Sequence, residues 1–184
     1  YMKKLFTLSL IILYTITYGQ KIIVTPDGLK NLNDLRKTFV FIKVERKTAK
    51  YLYDSTLNYI IETYQNSNDT LKETIDGEFI KLKTHTLKLL SIRSSGTDVN
   101  IEAIYSINFS FRDEIIKLEI VDIEMYATDY YGYKVYFKGS SYQGFPIYGY
   151  KNVLKRPKIK TDIESYFNKL LNEIANQNWA NQNN

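Results

Sequence analysis

Cysteine is absent from all 184 residues. That excludes disulfide bracing, thiolate metal sites and a lipid-modified cysteine at a processed N-terminus, so stability has to come from an apolar core. Histidine occurs once, as His85, which excludes a His-based dyad or a multi-histidine metal site within one chain. No G-x-S-x-G elbow is present to make a serine a nucleophile, and the only candidate base is that single histidine. Calcium-loop spacing is missing, as is any glycine-rich phosphate loop leading into a helix. No cofactor is therefore expected. Acidic and basic residues nearly balance: the formal charge of +5 becomes +3 when Lys3 and Lys4 are set aside. The basic residues are scattered among acids and form no stripe, which argues against a nucleic-acid partner.

The first residues have the layout of an export signal. Lys3 and Lys4 precede an apolar run over residues 5–18, and Thr17 and Gly19 supply small residues at the positions a signal peptidase reads. Cleavage is expected after Gly19, with residues 1–19 as the leader. The run is about 14 residues long, short of the roughly 20 needed to cross a bilayer. The expected product is periplasmic or secreted, neither membrane-spanning nor lipid-anchored. Tyr1 ahead of Met2 carries no functional reading.

Residues 20–37 read as an extended lead-in with a turn at Pro26-Asp27-Gly28. A single domain is expected over 38–179, followed by an Asn/Gln tail at 180–184. Alternation marks a first strand at 38–46, with Val40, Ile42 and Val44 on one face. Thr48 is a candidate N-cap for a helix from 49 to about 64, whose apolar side carries Leu52, Tyr53, Thr56, Tyr59, Ile60 and Tyr64. Two strands, 71–76 and 78–91, flank the hairpin signal Asp76-Gly77.

The strongest pattern lies at 99–125. Ile101, Ala103, Tyr105, Ile107, Phe109 and Phe111 alternate with Glu102, Ser106, Asn108, Ser110 and Arg112, and a second alternating run at 115–125 follows the turn Arg112-Asp113-Glu114. A half-buried antiparallel sheet produces this pattern. The polar set is expected to face outwards. Strand parity in the second run puts Asp122 and Glu124 with Ile116, Leu118 and Ile120, and Glu119 opposite. A charged strand end explains these carboxylates more simply than a glycosidase pair or a cation site. His85, between two threonines on a strand, reads as a partly exposed structural histidine.

Residues 129–150 interleave tyrosine and phenylalanine with glycine and read as a long loop, with an edge strand at 134–138. Tyr130, Tyr131, Tyr133, Tyr136, Tyr142 and Tyr148 are the candidate ligand or partner surface, since tyrosine offers a flat apolar body with a polar tip. The simpler alternative is that these rings cover the sheet. Lys151, Lys155, Arg156, Lys158 and Lys160 read as a solvated linker around Pro157. Thr161 and Glu164 read as the capping box of a last helix running to about 178, with Ile163, Phe167, Leu170, Leu171 and Ile174 on its apolar stripe.

Three segments of this layout resemble the DUF4468 family of exported bacterial domains of unknown function. Phe39-Val40-Phe41-Ile42-Lys43-Val44-Glu45, with Tyr51-Leu52-Tyr53 and Tyr59-Ile60-Ile61-Glu62-Thr63-Tyr64, resembles the family's opening strand and helix. Asp76-Gly77-Glu78-Phe79-Ile80 resembles its short hairpin. Ile107 to Glu114, continuing through Asp122-Ile123, resembles its central hairpin, where Lys-Asp-Gly is the usual turn and this chain has Arg112-Asp113-Glu114. The resemblance implies an α+β, TBP-like fold: an antiparallel sheet of about five strands in the order β-α-β-β-β-β-α, with both helices on one face. It implies no activity, because function resides in sites and not in folds. The expected role is a non-enzymatic binding or interaction domain of the cell envelope, with an unidentified protein or small ligand as partner. The alternatives are a small-molecule or lipid binder using a cavity between sheet and helices, and, less favoured, a carboxylate-dependent hydrolase.

Overall fold

The computed structural model describes residues 20–64, 71–94, 96–127, 134–139 and 144–176. The leader, the tail and Tyr130, Tyr131, Tyr133 and Tyr142 lie outside them. The elements run β1 (Ile22–Thr25), β2 (Gly28–Asn31), β3 (Phe39–Lys43), α1 (Ala49–Thr63), β4 (Leu71–Ile75), β5 (Phe79–Ser94), β6 (Thr97–Arg112), β7 (Ile115–Ala127), β8 (Lys134–Lys138), β9 (Gly144–Tyr148) and α2 (Pro157–Ala175). The class is α+β, as expected. The main sheet has seven strands, ordered β4-β5-β6-β7-β8-β9, with β3 on the outer edge of β7's first half. About five strands were expected; the described residues give seven, because β8 and β9 stand between β7 and α2 in the chain.

Long β5, β6 and β7 make the centre of the sheet. Every apolar residue of the alternating β6 run, from Ile101 to Phe111, is buried. Both helices cover that face. Tyr53 of α1 meets Phe111 edge-on at 5.6 Å, and Tyr105 meets Phe167 of α2 at 5.2 Å. Aromatic pairs at these separations add to the stabilisation from area burial.

Helix α1 starts where its sequence signal put it. The Thr48 hydroxyl accepts the Tyr51 N–H, and Asp113 of the β6–β7 turn accepts the Ala49 N–H at 2.9 Å. Glu114 occupies left-handed backbone at φ 63, a region suited to glycine. Its placement is anchored on both sides: its carboxylate accepts the Arg46 N–H, and its own N–H donates to Lys47 O. The Asp76-Gly77 hairpin has a three-residue turn instead of two, with Gly77 at φ 72 and Ile75 paired to Phe79.

Four further expectations need correction. Residues 22–31, expected as an extended lead-in ahead of the domain, form a hairpin, β1–β2, whose Ile22, Val24 and Leu29 join the core. Its free edge is closed by side chains from far along the chain. Asn168 accepts the Ile22 N–H and donates to Ile22 O, both at 2.8 Å, and Glu164 accepts the Val24 N–H at 2.8 Å. Glu164 is consequently no capping-box partner: α2 begins four residues before Thr161, with Pro157 in its first turn.

The third correction concerns parity in β7. A bulge, with Asp122 at φ 53, lets two residues of β7 oppose Tyr105 alone. The extra residue reverses the alternation. Met125 and Ala127 turn into the core, and Asp122 and Glu124 turn to the uncovered face. The fourth lies in the tyrosine-rich stretch, which contains two strands: β8, and β9 beside it in parallel register with Lys134 opposite Gly144. The edge position at this end of the sheet belongs to β9, not to 134–138. A side-chain carbon at Gly144 would lie 2.5 Å from Lys134 O, so the close pairing requires glycine there.

Replacing Asn168 by Ala removes two hydrogen bonds to the backbone of β1. Chemical denaturation should show a loss of about 1–3 kcal/mol, with hydrogen exchange accelerated first in 22–31. At alkaline pH a second effect is expected. Burial raises the Tyr64 hydroxyl from 10.0 to about 12. The neutral form is the one the fold favours, so its contribution is intact below pH 10 and lost as pH rises towards 12. A phenolate absorbance titration should show this late-ionising tyrosine, and Tyr64→Phe should abolish that part of the alkaline loss.

Candidate functional site

The uncovered face of the sheet is polar, and several of its charged groups are paired with one another. His85 Nε2 lies 2.7 Å from Glu102 Oε2, and the Tyr126 ring stacks on the imidazole with centroids 6.4 Å apart. Glu102 thus lies on the uncovered face, as expected, but is buried there. Ser106 is buried as well, between the longer cross-strand neighbours Lys83 and Val121. Asn108 and Ser110 are half-buried on the same face.

The β7 bulge brings Glu119, Asp122 and Glu124 onto this one face, but separate partners hold the first two. Glu119 accepts a hydrogen bond from the Thr38 hydroxyl, and Asp122 is paired with Lys81 at 3.1 Å. A shallow depression of about 670 Å³ lies over Lys81, Lys83, Asp122 and Glu124. Its opposite charges sit side by side, which leaves no net field for an ionic ligand. Among the described residues no group of three or more carboxylate or histidine side chains could hold a metal ion.

Two of the six candidate tyrosines, Tyr136 and Tyr148, are among the described residues. Tyr148 is buried, its hydroxyl donating to Val24 O at 2.9 Å and its ionisation pushed up by burial. Tyr136 is half-buried against Gly144. Tyr148 thereby ties β9 to β1, and Tyr136 packs where β8 meets β9.

The distinct feature is a corner where the ends of β5 and β6 meet the first turn of α2. A depression of about 590 Å³ is lined there by Ile92, Arg93, Asp98, Lys155, Arg156 and Ile159, among others. Local backbone makes the approach rigid. Lys155 and Arg156 both donate their N–H groups to Ile147 O, at 2.8 and 3.2 Å, which anchors the start of the helix to β9. Pro157 then opens α2, whose first turn has no acidic residue and no side-chain cap. Its free N–H groups leave a partial positive charge.

Arg156 stacks on Phe145 with 4.8 Å from guanidinium to ring centre, and its Nε is buried without a hydrogen-bond partner among the described residues. Lys158 is engaged by Asp162 at 2.6 Å, and Lys160 by Glu164. Among the described residues Arg93, Lys155 and Arg156 form no ion pair. Asp98, opposite Arg93 in the register, is the one acidic residue besides Asp162 in the lining. The basic cluster read as a solvated linker is thus partly the wall of a depression. Arg93 joins it from more than sixty residues earlier in the chain, and only the pairing of β5 with β6 beneath α2 could reveal that.

No family model matches the chain, and no curated protein matches it. Among solved structures it is similar to the crystal structure of a DUF4468 family protein from Bacteroides ovatus. The two share 11% identity with a TM-score of 0.49, over 74% of this chain and 79% of the other.

Proposed function

We propose that this chain is an exported, non-enzymatic binding domain of the bacterial cell envelope, and that its site is the corner between β5, β6 and α2. In this reading residues 1–19 are a cleaved leader. The domain belongs with the DUF4468 family and has its TBP-like arrangement, a placement supported by the segments around 39–45, 51–64, 76–80 and 107–114.

One observation supports the site above all. Arg93, Lys155 and Arg156, free of ion pairs among the described residues, stand around an apolar floor of Ile92 and Ile159. Such a surface suits a small ligand with an anionic head and an apolar neighbour, since charge-assisted hydrogen bonds are the strong ones. The corner lies between sheet and helix, which favours the small-ligand reading over a tyrosine-lined protein surface. A hydrolase is disfavoured because Glu119 and Asp122 are each tied to a different partner.

Calorimetric titration of the chain with glycerol phosphate should show saturable binding. Arg93→Ala and Arg156→Ala should each weaken it about tenfold, the loss of one charge-assisted contact. Parent-like affinity in both variants, or no heat of binding at all, would remove the corner as the site. N-terminal sequencing of the protein recovered from a bacterial envelope fraction should begin at Gln20; an intact leader would contradict export by cleavage.

A further inference from the structure

Immediately before the corner, the chain makes a tight excursion that leaves apolar side chains in water. Tyr150 is 81% exposed, Val153 52% and Leu154 41%. These are large values for side chains that a soluble protein gains by burying, and contiguous exposed apolar surface marks an interaction site. The excursion is held in shape. Gly149 N–H donates to Val153 O at 2.8 Å, Val153 N–H to Tyr150 O at 3.3 Å, and Leu154 bridges back to Tyr148. Lys151 and Asn152 both occupy left-handed backbone, at φ 55 and 61. Neither is glycine, so the conformation is maintained against a local preference.

The charge around this spur has one sign. Residues 150–160 contain Lys151, Lys155, Arg156, Lys158 and Lys160 and not one acid. Lys158 and Lys160 are paired with α2 carboxylates, which leaves Lys151 and Lys155 exposed and Lys151, Lys155 and Arg156 without an ion pair among the described residues, while Asp98 lies opposite Arg93 in the adjoining depression.

We propose that this corner docks on an anionic phospholipid bilayer: the 149–154 spur enters the interface, and the depression behind it receives a phosphodiester headgroup. The inference rests on the binding-domain reading above and names its ligand. Three features favour a lipid surface over an acidic protein. The exposed apolar side chains sit on one tight turn, and none of them lines the depression, whereas protein-binding anchors fill pockets. An aromatic hydroxyl beside aliphatic tips and lysines is the composition that settles at a membrane interface. The attraction needs no partner of defined shape, only negative surface charge. No helix among the described residues is long and apolar enough to cross a membrane, so the association would be peripheral.

The test is sedimentation of the full chain with vesicles of equimolar phosphatidylglycerol and phosphatidylcholine, against vesicles of phosphatidylcholine alone. Binding is expected to the first only, and to weaken as salt is raised. Each lysine near an anionic surface contributes about fivefold to partitioning, so Lys151→Gln with Lys155→Gln should cost roughly 25-fold. Tyr150→Ser should cost about fivefold. Thermal melting of each variant checks folding, which exposed substitutions should preserve. Equal binding to both vesicle types, no binding to either, or variants that bind like the parent would overturn the proposal. Glycerol phosphate calorimetry on the same preparations separates the two levels. A chain that binds glycerol phosphate and ignores vesicles retains its site and loses the membrane, and one that binds neither loses both.

Discussion

One face of β6 has to be covered, and most of the fold follows from that requirement. Ile101, Ala103, Tyr105, Ile107, Phe109 and Phe111 are placed on a single side by strand geometry, and leaving them in water would cost roughly 1.5–3 kcal/mol for each large side chain. Two helices meet the need, α1 through Leu52, Tyr53 and Ile60, and α2 through Ile163, Phe167 and Leu171. The helices in turn fix their neighbours. The β6–β7 turn caps α1 through Asp113, and α2 holds β1 through Asn168 and Glu164. Without cysteine no covalent link shares this load.

What could be read from the sequence was what short-range periodicity encodes. The β6 alternation, the α1 cap at Thr48 and the apolar stripe of α2 depend only on residues close in the chain. The hairpin β1–β2 was illegible because the groups that satisfy its edge, Asn168, Glu164 and Tyr148, come more than a hundred residues later. The fate of the carboxylates was illegible because one extra residue at Asp122 reverses a period of two. Thr161 and Glu164 matched a capping box by spacing, yet Pro157 is a competent helix start and Glu164 was needed elsewhere. In the tyrosine-rich stretch the chemistry of binding and of packing is the same, so composition alone could not separate them.

The candidate site was half legible. Its basic residues stand out at 151–160, but their isolation from acids is a tertiary property: Lys158 and Lys160 have partners on α2 and Lys155 has none among the described residues. The open face shows the opposite arrangement, with exposed His85 against buried Glu102 and Lys81 matched to Asp122. Between two polar surfaces, one self-neutralised and the other left positive beside exposed apolar tips, the second has unmet interactions to offer a ligand.

That contrast is open to direct observation by residue-resolved NMR during titration with a short-chain phosphatidylglycerol kept below its micelle concentration. The predicted result is that shifts are confined to amides of 92–98 and 149–159. Shifts centred instead on His85, Glu124 and Tyr126 would place binding on the open face of the sheet and contradict the corner as the functional site.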